Sequence, residues 1–295
     1  MRGSAARPRT EPVPQDQTQS LTGQVALVTG ANTGIGLVTA RELAARGARV
    51  FIACRNADAA QRALEQIRAA SGNAQVEALA LDLGDFASVR RCARDFLARD
   101  LPLHLLINNA GLAGGRGLTA SGFELAFGTN HVGPFLLTQL LRARIEASAP
   151  ARIVTVASHA HYRAPPLNWE AQRQPTRSRT GLAEYSTSKL ANVLFSAELG
   201  RELAGSGVHT YALHPGVVAS DVWRSVPWPL RPLIKLAMIS TEQGAATTLH
   251  CATASGAAGE TGRYYYQCRA KTPSAMGRNA DLARALWQRS LDWVA

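Results

Sequence analysis

Tyr185-Ser186-Thr187-Ser188-Lys189 places a phenol and an ammonium four residues apart. On a helix that spacing puts both side chains on one face. A phenol with a pKa of about 10 exchanges protons poorly at neutral pH, and a neighbouring ammonium lowers that pKa enough to make proton transfer practical. The chain has six tyrosines and three lysines, Lys189, Lys235 and Lys271, in 295 residues. A chance Tyr-x-x-x-Lys is therefore expected only ~0.06 times.

A second group of residues has the chemistry of anion binding. Thr29-Gly30-Ala31-Asn32-Thr33-Gly34-Ile35-Gly36 lies between an apolar run, Gln24 to Thr29, and a helix-patterned stretch that begins at Leu37. Glycines at a strand-to-helix junction let the backbone turn tightly and approach a pyrophosphate, whose charge the helix N-terminus stabilises. The next apolar run ends in Ala53-Cys54-Arg55-Asn56. A carboxylate there would bind a ribose 2′-hydroxyl and repel a 2′-phosphate, but this strand end has none, and Arg55 is free to pair with phosphate. The expected cofactor is NADP(H).

The elements that must hold these residues follow from periodicity. Gln24 to Thr29, Ala48 to Cys54, Ala74 to Asp82, Leu103 to Gly111, Ala151 to Ser158 and Val208 to His214 read as strands, separated mostly by helical segments. Such alternation predicts right-handed crossovers and an α/β fold: one doubly wound, mostly or wholly parallel sheet with helices on both faces. A helical stretch is expected over 122–147, a last strand at Arg263 to Gln267 and a closing helix near the end. Two stretches break the rhythm. Residues 159–183, with Pro165, Pro166 and Pro175, read as a long insert loop, and 222–239 as a Trp- and Pro-rich segment where the sheet needs no strand.

Taken together, these motifs resemble the short-chain dehydrogenase/reductase family, and the resemblance runs from Leu21 onward, giving one Rossmann-type domain over 21–295. Gly30, Gly34 and Gly36 match its TGxxxGxG pattern, and Asp82, followed by Leu83, its acidic residue after the third strand. Asn108-Asn109-Ala110-Gly111 matches its NNAG run. The resemblance implies a catalytic tetrad of Asn130, Ser158, Tyr185 and Lys189. It implies cofactor contacts from Asn32, Thr33 and Ile35 in the glycine turn, from Arg55 and Asn56, from Asn109, Ala110 and Gly111, and from Pro215, Gly216, Val218 and Ser220 in the segment after His214. Tyr185 would give or take the proton and Ser158 would hold the substrate oxygen. Lys189 would lower the phenol pKa and bind the nicotinamide ribose, and Asn130 would hold a water beside Lys189. The phrases TGANTGIG, TNHVGPFLLT and YSTSKLANVLF are similar to the retinol-dehydrogenase-like branch, which implies NADP(H) and a lipophilic carbonyl or alcohol substrate such as a retinoid, steroid or other lipid. Dimers and tetramers are both common in the family. The competing reading is a redox-inactive dinucleotide sensor or scaffold on the same fold, against which the complete tetrad argues.

Composition narrows the partners. The net charge is +11, but arginines are interspersed with acids rather than gathered in a stripe with aromatics, so nucleic acid is not expected. Cys54, Cys92, Cys251 and Cys268 lack metal-like spacing and read as reduced thiols. His159, His161 and His214 have no acidic partner at ligand spacing, and no metal is expected. Residues 1–20 are polar and Pro-rich with no apolar run, so they read as a flexible tail rather than a signal peptide or anchor. The expected location is cytoplasmic, with a peripheral membrane contact left open.

That contact would come from 222–239. Pro227, Pro229 and Pro232 prevent a regular helix in its first half, while Trp223, Trp228, Leu230 and Leu233 offer apolar surface flanked by Arg224, Arg231 and Lys235. Members of the family fold this segment across the substrate, so it is expected to be a lid with Trp223 and Trp228 as substrate contacts. Replacing both tryptophans by alanine should raise KM for lipophilic substrates more than for small aldehydes. Steady-state kinetics on large and small aldehydes checks this, and unchanged discrimination would exclude the lid role.

Overall fold

The structure is a computed structural model that describes residues 19–217, 239–257 and 259–295. Six parallel crossovers begin with β1 (Val25–Thr29), α1 (Gly34–Ala45), β2 (Arg49–Cys54), α2 (Ala57–Ser71), β3 (Val76–Ala80), α3 (Phe86–Leu97) and β4 (Leu105–Asn108). The chain continues through a single helical turn, α4 (Leu125–Phe127), to α5 (Gly133–Glu146), β5 (Ala151–Val156), α6 (Leu182–Glu202) and β6 (Val208–His214). It ends with α7 (Thr241–Thr253), β7 (Arg263–Tyr266), β8 (Arg269–Ala270) and α8 (Ala280–Val294).

The strands form one sheet in the order β3-β2-β1-β4-β5-β6-β7-β8. All pairings are parallel except β7 with β8. The sheet is therefore mostly parallel. Its central strands β1 and β4 are apolar up to their last residues, Thr29 and Asn108, because both faces are covered. Within β1, Val25 and Leu27 enter one core and Ala26 and Val28 the other. On the first face the core includes Phe96 of α3, Phe135 of α5, Phe195 of α6 and Trp287 of α8. On the second it includes Leu43 of α1, Ile67 of α2 and Leu249 of α7.

Several elements differ from the sequence reading. The stretch at 122–147 is not one helix from Gly122. Leu118 pairs with Glu124 as an antiparallel bridge, and the helix starts at Leu125 and passes through a π-helical turn, Gly128–Val132, before α5. The last strand stops at Tyr266, because Gln267 and Cys268 take positive φ (51° and 58°) and reverse the chain into β8. The helix α7 was not anticipated, although Ser240 and Gln243 form a full capping box at its start, a signal present in the sequence. The insert at 159–183 contains two 3-10 turns, His159–Arg163 and Glu170–Arg173. It is fastened beside α6 by the Glu184 carboxylate, which accepts from the Arg177 and Ser178 backbones (3.0 and 2.8 Å). The proposed lid, 222–239, lies outside the described residues except for Ile239. The Ile239 N–H donates to the Val217 carbonyl (3.0 Å), so the described residues on either side of 218–238 meet. Among the described residues no helix is long and apolar enough to cross a membrane.

The π turn depends on a histidine. His131 is fully buried among Phe127, Phe135 and Phe195, and its Nε2 hydrogen-bonds the Ser290 hydroxyl of α8 (3.1 Å). Burial pushes its pKa down from 6.5 to about 3. Between those values the unfolded chain binds a proton that the folded chain refuses, so this group's contribution to stability is complete above pH 6.5 and is lost as pH falls toward 3. At pH 5 the expected loss from this residue alone is about 2 kcal/mol relative to pH 7. Denaturant titrations at both pH values should show it, and His131→Leu should narrow the difference between them.

Candidate active site

The strand order reverses direction at β1, whose neighbours β2 and β4 lead away on opposite sides. In a doubly wound sheet, the crevice for ligands opens at the carboxyl ends of strands at such a point. The glycine turn after β1, the NNAG run after β4, Ser158 after β5 and His214 ending β6 all stand on that edge.

The glycine turn and the NNAG run hold each other. The Thr29 hydroxyl accepts from the backbone N–H groups of Asn109 and Ala110, both at 3.0 Å, and Asn109 Nδ2 donates to the Thr29 carbonyl (2.8 Å). Gly30 adopts φ +66°, and a Cβ on it would lie 2.9 Å from Ala110 Cα. One on Gly36 would lie 2.4 Å from Asn109 Nδ2. Only glycine allows this closeness. Immediately after the turn, Thr33 begins α1 without a side-chain cap. By contrast Asn56, Asp85, Ser240 and Asn279 cap α2, α3, α7 and α8. The first-turn N–H groups of α1, including those of Ile35 and Gly36, are thus left for an anion. The glycine cradle and this uncapped terminus fit a dinucleotide pyrophosphate.

The remaining expected cofactor residues divide. Arg55 is exposed at the end of β2 and forms no hydrogen bond or ion pair among the described residues. Asn56 is also exposed, but its Oδ1 is engaged as the α2 cap, accepting from the Ala59 N–H (2.8 Å). Asn32 is half-buried, and the Gly30 N–H donates to the Ala53 carbonyl (2.8 Å), which ties the end of β2 to the glycine turn. The Asp82 carboxylate accepts from the Gly84 N–H (2.9 Å), and the Leu83 side chain is in the core, so only the backbone of Leu83 is available to a ligand. Pro215 and Gly216 are half-buried beyond β6. Val218, Ser220, Trp223 and Trp228 lie outside the described residues.

The four tetrad residues do come together. Ser158 follows β5 in extended conformation, and its side chain lies near enough to Tyr185 to favour the phenolate, α6 presenting that tyrosine three residues from its start. Lys189, one helical turn later, is 4% exposed, and its ammonium donates to the Val156 carbonyl (2.8 Å). Asn130 lies in the π turn, where its amide accepts from the Leu112 N–H and donates to the Leu112 carbonyl, both at 2.9 Å. The same amide donates to Ser188 Oγ (2.9 Å), and Ser188 donates to the Tyr185 carbonyl (2.8 Å). A Cβ on Gly111 would sit 3.2 Å from Asn130 Oδ1 and 3.3 Å from Lys189 Nζ, so both polar groups face the NNAG run.

One expectation about electrostatics needs correction. The Lys189 ammonium is 5.7 Å from the Tyr185 ring centroid and turned to Val156, and the phenol stands above its ordinary pKa because burial outweighs the effect of the nearby Ser158 side chain. Burial also brings Lys189 down from 10.5 to about 8. The sequence reading missed Ser188, Leu112 and Val156 as supports of the tetrad. Ser188 carried a signal, being the residue before the lysine in Tyr-x-x-x-Lys, whereas Leu112 and Val156 act through backbone atoms that no residue type reveals.

The comparisons with known proteins agree with this arrangement. The family described as short chain dehydrogenase matches residues 24–171. The chain is 47% identical over 279 residues to retinol dehydrogenase 12 of Homo sapiens and 46% over 275 residues to retinol dehydrogenase 11 of Mus musculus. In each case 92% of this chain and 86% of the relative are covered. Among solved structures, the Pseudomonas aeruginosa RhlG/NADP active-site complex superposes with a TM-score of 0.65 at 27% identity, over 83% of this chain and 94% of that one. The chain belongs to the short-chain dehydrogenase/reductase family, on its retinol-dehydrogenase-like branch, and is an oxidoreductase that interconverts carbonyl and alcohol with a nicotinamide dinucleotide.

Proposed function

We propose that this enzyme uses NADP(H) to interconvert a lipophilic aldehyde or ketone and its alcohol, with Tyr185 as the proton donor and acceptor. One observation carries the reading. The Tyr185 hydroxyl meets Ser158 at the carboxyl edge of the sheet, above a lysine and an asparagine that both face Gly111 beside the uncapped α1.

When bound, the nicotinamide supplies or accepts the hydride. The chain's own residues manage the proton and the geometry. Tyr185, raised in pKa by burial, is protonated at neutral pH and in reduction gives its phenolic proton to the substrate oxygen. The Ser158 hydroxyl holds that oxygen and stabilises the phenolate left behind. Lys189 spends one of its three donors on Val156 and keeps two for the phenolate side and the nicotinamide ribose. Asn130 Oδ1 keeps a lone pair beside Lys189, a place for the water that would pass a proton onward. Oxidation runs the same steps backward and begins from the phenolate.

Arg55 and the absence of a carboxylate at the end of β2 support NADP(H), and the relatives named retinol dehydrogenase support a lipophilic substrate. Tyr185→Phe should lower kcat by about 10²- to 10⁴-fold while NADPH still binds, and Lys189→Ala should weaken both. Stopped-flow turnover together with NADPH fluorescence titration separates the two effects, and turnover by the Phe variant within a few-fold of wild type would refute the assignment. Arg55→Ala should weaken NADPH binding by about 10-fold or more and leave NADH within about twofold. Equal affinity of the wild-type protein for the two cofactors would overturn the NADP(H) reading.

A further inference from the structure

Ser158 is held from outside the tetrad. Its Oγ accepts from the Ala160 N–H (3.2 Å), and its carbonyl receives both the backbone N–H of His161 (3.2 Å) and the ring Nδ1 of His161 (2.7 Å). His161 is completely buried, 4.0 Å from the Tyr162 ring and 4.8 Å from that of Tyr264 by centroid. Its other nitrogen, Nε2, lies 3.1 Å from the backbone nitrogen of Ser274, in the segment after β8.

That last contact determines the tautomer. A backbone N–H can only donate, so Nε2 must accept, and the ring proton must sit on Nδ1, where it is donated to the Ser158 carbonyl. Burial, together with the charges of His159 and Lys271, disfavours the imidazolium, which would set an Nε2–H against the Ser274 N–H. The neighbouring Tyr162 hydroxyl donates to the Thr272 carbonyl, which fastens the same segment to the same 3-10 turn.

We infer that His161 is a positioning residue for the reaction: through its ring it couples the segment Lys271–Ala275 to the orientation of Ser158, and so to the placement of the serine hydroxyl beside Tyr185. The inference rests on the proposed roles of Ser158 and Tyr185. Carbonyl reduction depends on the serine hydroxyl being aimed at both the phenol and the substrate oxygen, and a misplacement of 1 Å at a reacting centre can cost about 10²-fold. A buried ring that fixes the serine backbone prevents such drift. The sequence had offered His161 only as a metal ligand to be set aside.

The test uses the full-length protein, a medium-chain aldehyde and NADPH. Tyr185→Phe is measured first, because its failure to lose turnover would remove the catalytic reading itself, whereas an inactive Tyr185→Phe beside an unaffected His161→Phe would remove only this inference. His161→Phe should lower kcat by about 10- to 100-fold with NADPH affinity and aldehyde KM within about threefold. His161→Gln, whose amide offers a donor and an acceptor, should recover most of the loss. In a Ser158→Ala background neither His161 variant should lower kcat further by more than about twofold, because its effect passes through the serine. A His161→Phe kcat within twofold of wild type, no recovery with Gln, or a full additional loss in the Ser158→Ala background would each overturn it. Should the Phe variant not fold, the Gln variant alone decides: any loss it shows must vanish in the Ser158→Ala background.

Discussion

The site is organised around an ammonium that the protein solvates only in part. Lys189 is all but removed from water, yet among the described residues one carbonyl, that of Val156, is its hydrogen-bond partner. A buried cation with unmet donors is costly, and the cost is visible in a pKa brought down to about 8. Such an arrangement is sustainable where a ligand completes the shell. The oxygen-rich ribose of a nicotinamide dinucleotide is a fitting complement, and the pyrophosphate cradle of the same crevice lies across the NNAG run.

Everything near Lys189 can be read as holding that position. The residue sits on α6, a helix buried along most of its length, so its backbone has little room to move. The π turn at Gly128–Val132 swings Asn130 into contact with the Leu112 backbone and Ser188, and thereby clamps the start of α6 against the loop after β4. A π turn carries one extra residue per turn and is less favourable than α-helix. Here it is held in place by His131, whose ring packs among three phenylalanines and reaches α8 through Ser290. The C-terminal helix is therefore part of the support of the active edge, although it contributes no residue to the tetrad.

The closeness of the first βα turn to the β4 loop works in the same way. Gly30 and Gly36 give up side chains so that Ala110 and Asn109 can approach, and Thr29 spends its hydroxyl on two N–H groups of the facing loop. A rigid floor results, with the uncapped α1 terminus directed at the crevice. The glycine turn and the NNAG run are thus the two sides of one contact, although about 80 residues separate them along the chain.

The linear order of residues already specified much of the protein. The alternation of apolar runs and amphipathic stretches implied a doubly wound sheet because each pattern can be buried in only one kind of element. Local motifs such as TGANTGIG and YSTSK carried their own chemistry because the interacting atoms are a few residues apart. The tertiary structure alone decided where long-range hydrogen bonds fall. It directed Lys189 to the Val156 carbonyl rather than to the phenol, spent the Asn56 amide on capping α2, and turned His161 into a clamp between Ser158 and Ser274. Burial and backbone carbonyls set those outcomes. Neither is encoded in the identity or spacing of nearby residues, since every residue carries the same carbonyl and its environment exists only once distant segments have packed.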